Sequence, residues 1–297
     1  MKKLSIIAKS LAAVALLGSA STSFAASTWD LLPLCASGGN GTVVTGCTGN
    51  TTGGGNLNSV SGWSTGVGTT SAPTAGTTFA AATIYEFNSG LGVVASNETT
   101  ATGPHTTDNA FGSDGLLFNF GTSINLSRLQ IGYNGTDNVD TVTTSGSAAT
   151  YQDSDISVLA WVGSGAPTLA GAAQGLAGWK LIGNFSNVGA NACPAGSAAG
   201  CQGSQSFTPT NADSTALYSS YWLISAYNSA YGGTGPGDTL IDSFKLLQVS
   251  GNTCTATGGV TNNHCGGSKV PEPGSLALFG LGLVGMVASR RRKQASI

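Results

Sequence analysis

Residues 115–135 read GLLFNFGTSINLSRLQIGYNG. Within INLSRLQIGY, Ile124, Leu126, Leu129, Ile131 and Tyr133 alternate with other residues, with one slip between Leu126 and Leu129. Side chains two apart share one face of an extended chain, so this pattern predicts a strand with one face in a core. The slip predicts a bulge or a turn. Similar runs follow the same grammar: ATIYEFNSGLGVVAS at 82–96, DISVLAWVG at 155–163, WKLIGNFSN at 179–187, ALYSSYWLISAYNS at 216–229 and DTLIDSFKLLQVS at 238–250. These predict strands of about five to nine residues, rich in β-branched and aromatic residues and bounded by Gly, Asn, Asp or Ser. ALYSSYWLISAY is the one run that also suits a helix; its Tyr, Trp and Ile content and the GGTGPGD behind it favour a strand. Such strands joined by Gly-rich turns predict an all-β fold, an antiparallel, jelly-roll-like β-sandwich.

Composition agrees. Glycine is 45 of 297 residues and only 8% are charged, against about a quarter in an ordinary soluble domain. Strong helix formers such as Glu, Lys and Arg are scarce. A short helix at Thr168–Leu176 is the one internal exception considered, and it contains Gly171 and Gly175. Short strands are expected at Thr42–Thr45 and Ser59–Ser64 within a Gly/Thr/Ser-rich stretch.

The chain opens MKKLSIIAKSLAAVALLGSASTSFAAS. Lys2, Lys3 and Lys9 precede and flank the apolar run Leu11–Leu17, and Ser23-Phe24-Ala25 places small residues at −3 and −1. This predicts a helical secretory signal peptide cut after Ala25 by signal peptidase. Between Ala26 and Val270 only Arg128, Lys180, Lys245 and Lys269 oppose twelve acids, so the body carries about −8. A body of that charge has no phosphate-neutralising patch, which argues against nucleic-acid binding.

Six cysteines fall into three close pairs. In an exported chain an even number reads as disulfides, here expected as Cys35–Cys47, Cys193–Cys201 and Cys254–Cys265, each contributing about 2–3 kcal/mol. A zinc site is the alternative, but CxxC spacing is missing and only His264 lies near a cysteine.

The segmentation expected is therefore 1–25 signal, 26–81 Gly/Thr-rich extension with a disulfide loop, 82–250 sandwich core, 251–269 polar stem and 270–297 tail. Two sets of residues could carry chemistry. Asp108, Asn109 and Asp114 gather near His105 in GPHTTDNAFGSDG, and Asp153 and Asp155 stand before a later strand. Three readings stay open: an oxygen-rich structural Ca²⁺ site, loop-to-strand caps without a ligand, or a hydrolytic Asp–His pair. The second set is Trp63, Trp161, Trp179 and Trp222, with Tyr221, candidates for stacking on sugar rings; burial in the core is the competing reading. No HExxH or Walker loop is present and no GxSxG sits in a strand-to-helix elbow, so no catalytic residue is assigned and no enzyme is expected.

The tail reads VPEPGSLALFGLGLVGMVASRRRK. Val270, Pro271, Glu272 and Pro273 are followed by the apolar stretch Leu276–Ala288 and by Arg290, Arg291, Arg292 and Lys293. This order resembles the PEP-CTERM sorting signal of Gram-negative bacteria. The resemblance implies an exosortase as processing partner, cleavage at or near Pro-Glu-Pro and delivery to the cell surface of an exopolysaccharide-producing, biofilm-forming bacterium. The body, over 82–249, resembles exosortase-dependent surface proteins through Gly103-Pro104-His105, Asp108-Asn109 and Asp153-Ser154-Asp155. As a helix, residues 274–289 would run about 24 Å, short of a hydrocarbon core of about 30 Å. The basic end suits the cytoplasmic side. The tail is thus expected to be a hydrophobic sorting helix and a temporary inner-membrane anchor. The function expected is a structural surface or matrix protein, with exopolysaccharide or other surface proteins as partners. A carbohydrate-binding or adhesive module is the runner-up and an extracellular hydrolase the third reading.

Overall fold

A computed structural model describes residues 26–33, 41–44, 50–52, 57–65, 78–95, 105–109, 112–134, 140–144, 147–151, 154–189, 202–235, 242–254 and 259–266. The strands are β1 (Ala26–Asp30), β2 (Thr42–Val44), β3 (Asn50–Thr52), β4 (Leu57–Ser64), β5 (Ala80–Phe87), β6 (Gly90–Val94) and β7 (Thr107–Asp108). Next come β8 (Asp114–Asn134), β9 (Asp140–Thr144), β10 (Ser147–Tyr151), β11 (Ser154–Trp161) and β12 (Trp179–Val188). The last are β13 (Gly203–Ser206), β14 (Ser219–Ala226), β15 (Ser243–Thr253), β16 (Val260–Thr261) and β17 (His264–Cys265).

Residues 114–134 form one strand of 21 residues rather than several short ones. It serves two sheets in turn. From Asp114 to Phe120 it lies between β4 and β14, in the order β12-β11-β14-β8-β4-β5. Gly121 and Thr122 are exposed, and there the strand passes from one sheet to the other. From Ile124 to Asn134 it pairs with β15, and its Arg128–Ile131 stretch also pairs with β13. β15 in turn carries β1, and β1 carries β3. The hairpin β5–β6 reaches β15 through Leu91 and Leu246. The ring β8–β4–β5–β6–β15 therefore closes on itself. The result is a barrel-like sandwich in which strands that switch sheets make the corners.

The slip in the alternation has a visible cause. Arg128 faces Ser250 but Leu126 faces Gly251, so Ser127 is an extra residue in the ladder. A bulge re-aims the side chains beyond it. Leu126 and Leu129 are both fully buried, while Arg128 between them is exposed.

The main core lies between the two sheets. Trp29, Phe118, Phe120, Ile131, Trp222 and Phe244 are among its buried side chains. Trp29 meets Phe120 edge to face at 4.9 Å. Burying each such side chain contributes about 1.5–3 kcal/mol. A second, smaller core covers the outer face of the first sheet. There Leu117, Leu159 and Leu223 meet Phe79 and two leucines, Leu169 and Leu176, from the 163–178 loop. That loop replaces the short helix expected at Thr168–Leu176: it is a run of turns, pinned by Phe79 N–H on Ala172 O (2.9 Å) and Gly171 N–H on Phe79 O (2.9 Å). Its glycines cost too much entropy for a helix that short to survive.

The expectation of helices at both ends of the β domain is corrected. Among the described residues the only helical turn is the 3₁₀ segment Ser229–Tyr231. No helix there is long and apolar enough to cross a membrane. The transmembrane helix and the temporary inner-membrane anchorage read from the tail therefore find no counterpart among the described residues. Residues 1–25 and 267–297, on which the sequence places both helices, lie outside the described residues.

Candidate functional site

In the first set Asn109 and Asp155 are engaged with backbone, and Asp242 joins them. Asn109 Nδ2 donates to Asp242 Oδ2 at 2.9 Å, and Asp242 N–H donates to Asn109 Oδ1 at 2.9 Å. The other Asp242 oxygen accepts the Asp155 N–H at 2.7 Å. Asp155 Oδ1 accepts the N–H of Asn187, a residue at φ 58°. Asn109 Nδ2 also reaches Tyr227 O at 3.2 Å, and Tyr227 N–H donates to Asp155 O. Asn109, Asp155 and Asp242 thus form one buried clasp, joining the loop before β8, the start of β11, the end of β14 and the start of β15. Burial, then the charges of Asp155 and Asp242, push the Tyr227 phenol above its ordinary range.

Asp108 and Asp114 sit on β7 and β8. Asp108 Oδ2 accepts from the Thr106 hydroxyl at 3.2 Å. Asp114 opens β8, and its charge adds to the burial that raises the Tyr231 phenol. Asp153 lies outside the described residues. Among the described residues no group of three or more His, Cys, Asp or Glu side chains is placed to hold a metal ion. His105 stacks on Tyr85 (5.1 Å) and Phe87 (5.9 Å). Asp242 escaped the sequence reading because its partner is 133 residues away.

Cys254 and Cys265 are disulfide-bonded, with Cα atoms 5.4 Å apart. The bond closes the β16–β17 hairpin, which docks on the body. Asn263 Nδ2 donates to Tyr218 O (2.9 Å) and to Trp161 O (3.3 Å), and Tyr218 N–H donates to Asn263 O. His264 Nδ1 lies 2.9 Å from the Thr215 hydroxyl and 3.7 Å from Asp213 Oδ2. Cys35, Cys47, Cys193 and Cys201 lie outside the described residues.

The tryptophans divide. Trp222 is fully buried, and its Nε1 donates to Ser219 O at 3.0 Å. It is a core residue, out of reach of any sugar. Trp63 is half-buried against the second core, with Nε1 on Ser61 Oγ at 2.9 Å. Trp161 and Trp179 are paired across β11 and β12 and are both half-buried. Their rings meet edge to face, 5.5 Å apart at 60°. The Trp161 indole donates to Gly165 O at 2.8 Å, and a side-chain carbon at Gly163 or Gly178 would strike its ring. The two glycines therefore let the indole lie against the loop. Gly178, at φ +83°, also needs the left-handed region. Between the indoles and Thr168, Ala173, Gly175 and Leu176 opens a mostly apolar cleft of about 460 Å³. Two indoles, one hydroxyl and loop backbone suit a sugar ring, which offers an apolar face and a polar edge.

The family model of the PEP-CTERM protein-sorting motif matches residues 269–293. The chain shows no significant similarity to a curated protein or to a solved structure.

Proposed function

Because this chain is a PEP-CTERM protein, exported through the exosortase sorting pathway to the cell surface or beyond, we propose that it is a non-catalytic matrix protein that holds exopolysaccharide. The observation that carries the reading is the Trp161–Trp179 pair at an open cleft of about 460 Å³. The buried clasp supports the non-catalytic part, because Asn109, Asp155 and Asp242 each spend hydrogen bonds on backbone N–H or carbonyl groups. Signal peptidase would remove the leader, and the glycan would be the lasting partner.

Affinity electrophoresis of the exported protein through gels containing the producing cell's own exopolysaccharide tests this. The wild type should be retarded. Trp161→Ala and Trp179→Ala should each lose roughly tenfold in affinity, the size expected for one stacking contact. Mobility equal to that in plain gels, or variants retarded as strongly as the wild type, would overturn it. A bulk structural role without glycan contact is the second reading. The clasp favours it, and it predicts that no tryptophan variant alters retention.

A further inference from the structure

Another aromatic constellation surrounds Lys245, at the start of β15. Lys245 is directly opposite Tyr133 in the ladder with β8. Its residue is only 6% exposed, although lysine is among the residues least often buried without a partner. The Nζ lies 4.0 Å from the Tyr133 ring centroid and 4.4 Å from that of Phe87. His105 stacks on Phe87 and on Tyr85, and Tyr85 and Phe87 lie 6.4 Å apart. Tyr85, Phe87, His105 and Tyr133 are all half-buried. Val43, paired with Tyr85 across β2 and β5, is 47% exposed. Among the described residues no acid forms an ion pair with Lys245.

A cation over ring faces is stabilised by their quadrupoles, but two rings supply less than the hydration it has lost. Burial accordingly pushes the ammonium down to about 8. The cost is out of place in a body with twelve acids and four bases, where a carboxylate partner would have been easy to supply. Among the described residues no carboxylate completes the charge, and the aromatic side chains around Lys245 are only half-buried, so part of each reaches solvent.

We propose that Lys245, with Tyr85, Phe87, His105 and Tyr133, forms a second saccharide subsite that takes an acidic sugar residue. The sugar ring lies on the aromatic faces and its carboxylate meets Lys245 Nζ. The inference rests on the glycan-holding reading and narrows it to a polymer that contains uronic acid. The tryptophan cleft has no charged lining residue and contributes grip without charge selection.

The test compares a polyuronate with the same polymer after its carboxyl groups are reduced to neutral sugar. Affinity electrophoresis is run on the wild type, Lys245→Met, Lys245→Arg and Trp161→Ala, each checked for its β circular-dichroism spectrum and cooperative melting. The wild type should prefer the polyuronate by roughly tenfold or more, as a charge-assisted contact predicts. Lys245→Met, which keeps an unbranched apolar stem, should bind both polymers equally, and Lys245→Arg should keep the preference. Trp161→Ala should weaken both polymers alike. A wild type that binds both polymers equally, or a preference that survives in Lys245→Met, overturns the subsite and leaves the tryptophan cleft standing. Binding that needs Lys245 but ignores Trp161 keeps the subsite and removes the cleft. Binding to neither polymer overturns both.

Discussion

The clasp at Asn109, Asp155 and Asp242 and the cleft at Trp161 and Trp179 use unusual residues in opposite ways. In the clasp, polar groups are buried and spent on the fold: Asp155 N–H, Asn187 N–H and the Asn109 side chain all find carboxylate oxygens. In the cleft, two large apolar rings stay partly exposed, although Trp179 packs against the second core as Trp63 and Tyr221 do. A folded chain has every reason to satisfy a buried carboxylate, whereas two indoles left partly in water beside one cleft are a surface open to contact. Asp155, which the sequence lets read as a cap, a ligand or a catalytic acid, accepts a backbone N–H as a cap does. The aromatics, which look structural, are what the surface has to offer.

Trp222 gives this contrast its sharpest test. Trp222→Ala should destabilise the protein by about 3–5 kcal/mol, because it empties a filled position between the sheets. Trp161→Ala should cost about 1 kcal/mol or less, since the side chain is already partly solvated. Urea denaturation followed by tryptophan fluorescence measures both. Equal costs would mean that the outer indole is a core residue and that the cleft is a packing detail.

Asp242→Ala comes next. It strands the Asp155 N–H and the Asn109 amide in a buried place, at a cost of about 2–3 kcal/mol. Retention on exopolysaccharide gels, measured well below the unfolding midpoint, should not change. A stable variant that has lost retention would move the clasp from scaffold to binding site.

How much of this was legible depends on the range of the interaction. The bulge at Ser127 is written in the spacing of Leu126 and Leu129, because a pleat has a period of two and a slip must be absorbed locally. The strand at Ser219–Ala226 is legible from its β-branched and aromatic content. The unbroken passage of β8 across Gly121 is not, because a glycine reads as a stop and only the second sheet explains why the chain continues. Nor can sequence tell Trp222 from Trp161. Both belong to apolar runs, and they are paired with different neighbours on opposite faces: Trp222 with Phe118 and Trp161 with Trp179. Lys245 was invisible for a related reason. A lone lysine in FKLLQVS reads as the solvated position of a strand until Phe87 and Tyr133, from other strands, are seen beside it.

Lys245 also predicts a pH effect of known sign. Its folded value, about 8, is below the ordinary 10.5, so the unfolded chain binds the extra proton between those values. The penalty of holding the charge is complete below pH 8 and fades as pH rises toward 10.5. Lys245→Met should therefore stabilise the protein at pH 7, on the order of 1 kcal/mol once residual solvation and the ring contacts are allowed for. The gain should vanish near pH 10.5. Chemical denaturation of both proteins at the two pH values checks this, and a variant that is less stable at pH 7 would show that the ring contacts outweigh the burial.

The smallest effect expected is at Asp213, and it is informative because the chemistry repeats that of Asp242 in another setting. Asp213 Oδ1 accepts the Thr215 hydroxyl at 2.6 Å and the Thr215 N–H at 3.1 Å, and His264 lies 3.7 Å from its other oxygen. The Thr215 hydroxyl, then the Thr215 backbone, hold its carboxyl below the ordinary range. The sign is conventional: whatever stability it adds is present at neutral pH and is lost as pH falls through its lowered value. The size is not that of the clasp, because the Asp213 side chain is 56% exposed and water can replace each partner. Asp213→Asn should cause no further change in the urea midpoint at pH 7, whether it is added to the wild type or to Asp242→Ala. A loss comparable to that of Asp242→Ala would mean that the docked, disulfide-closed hairpin is part of the cooperative fold, and that burial is not what separates the acids that matter from those that do not.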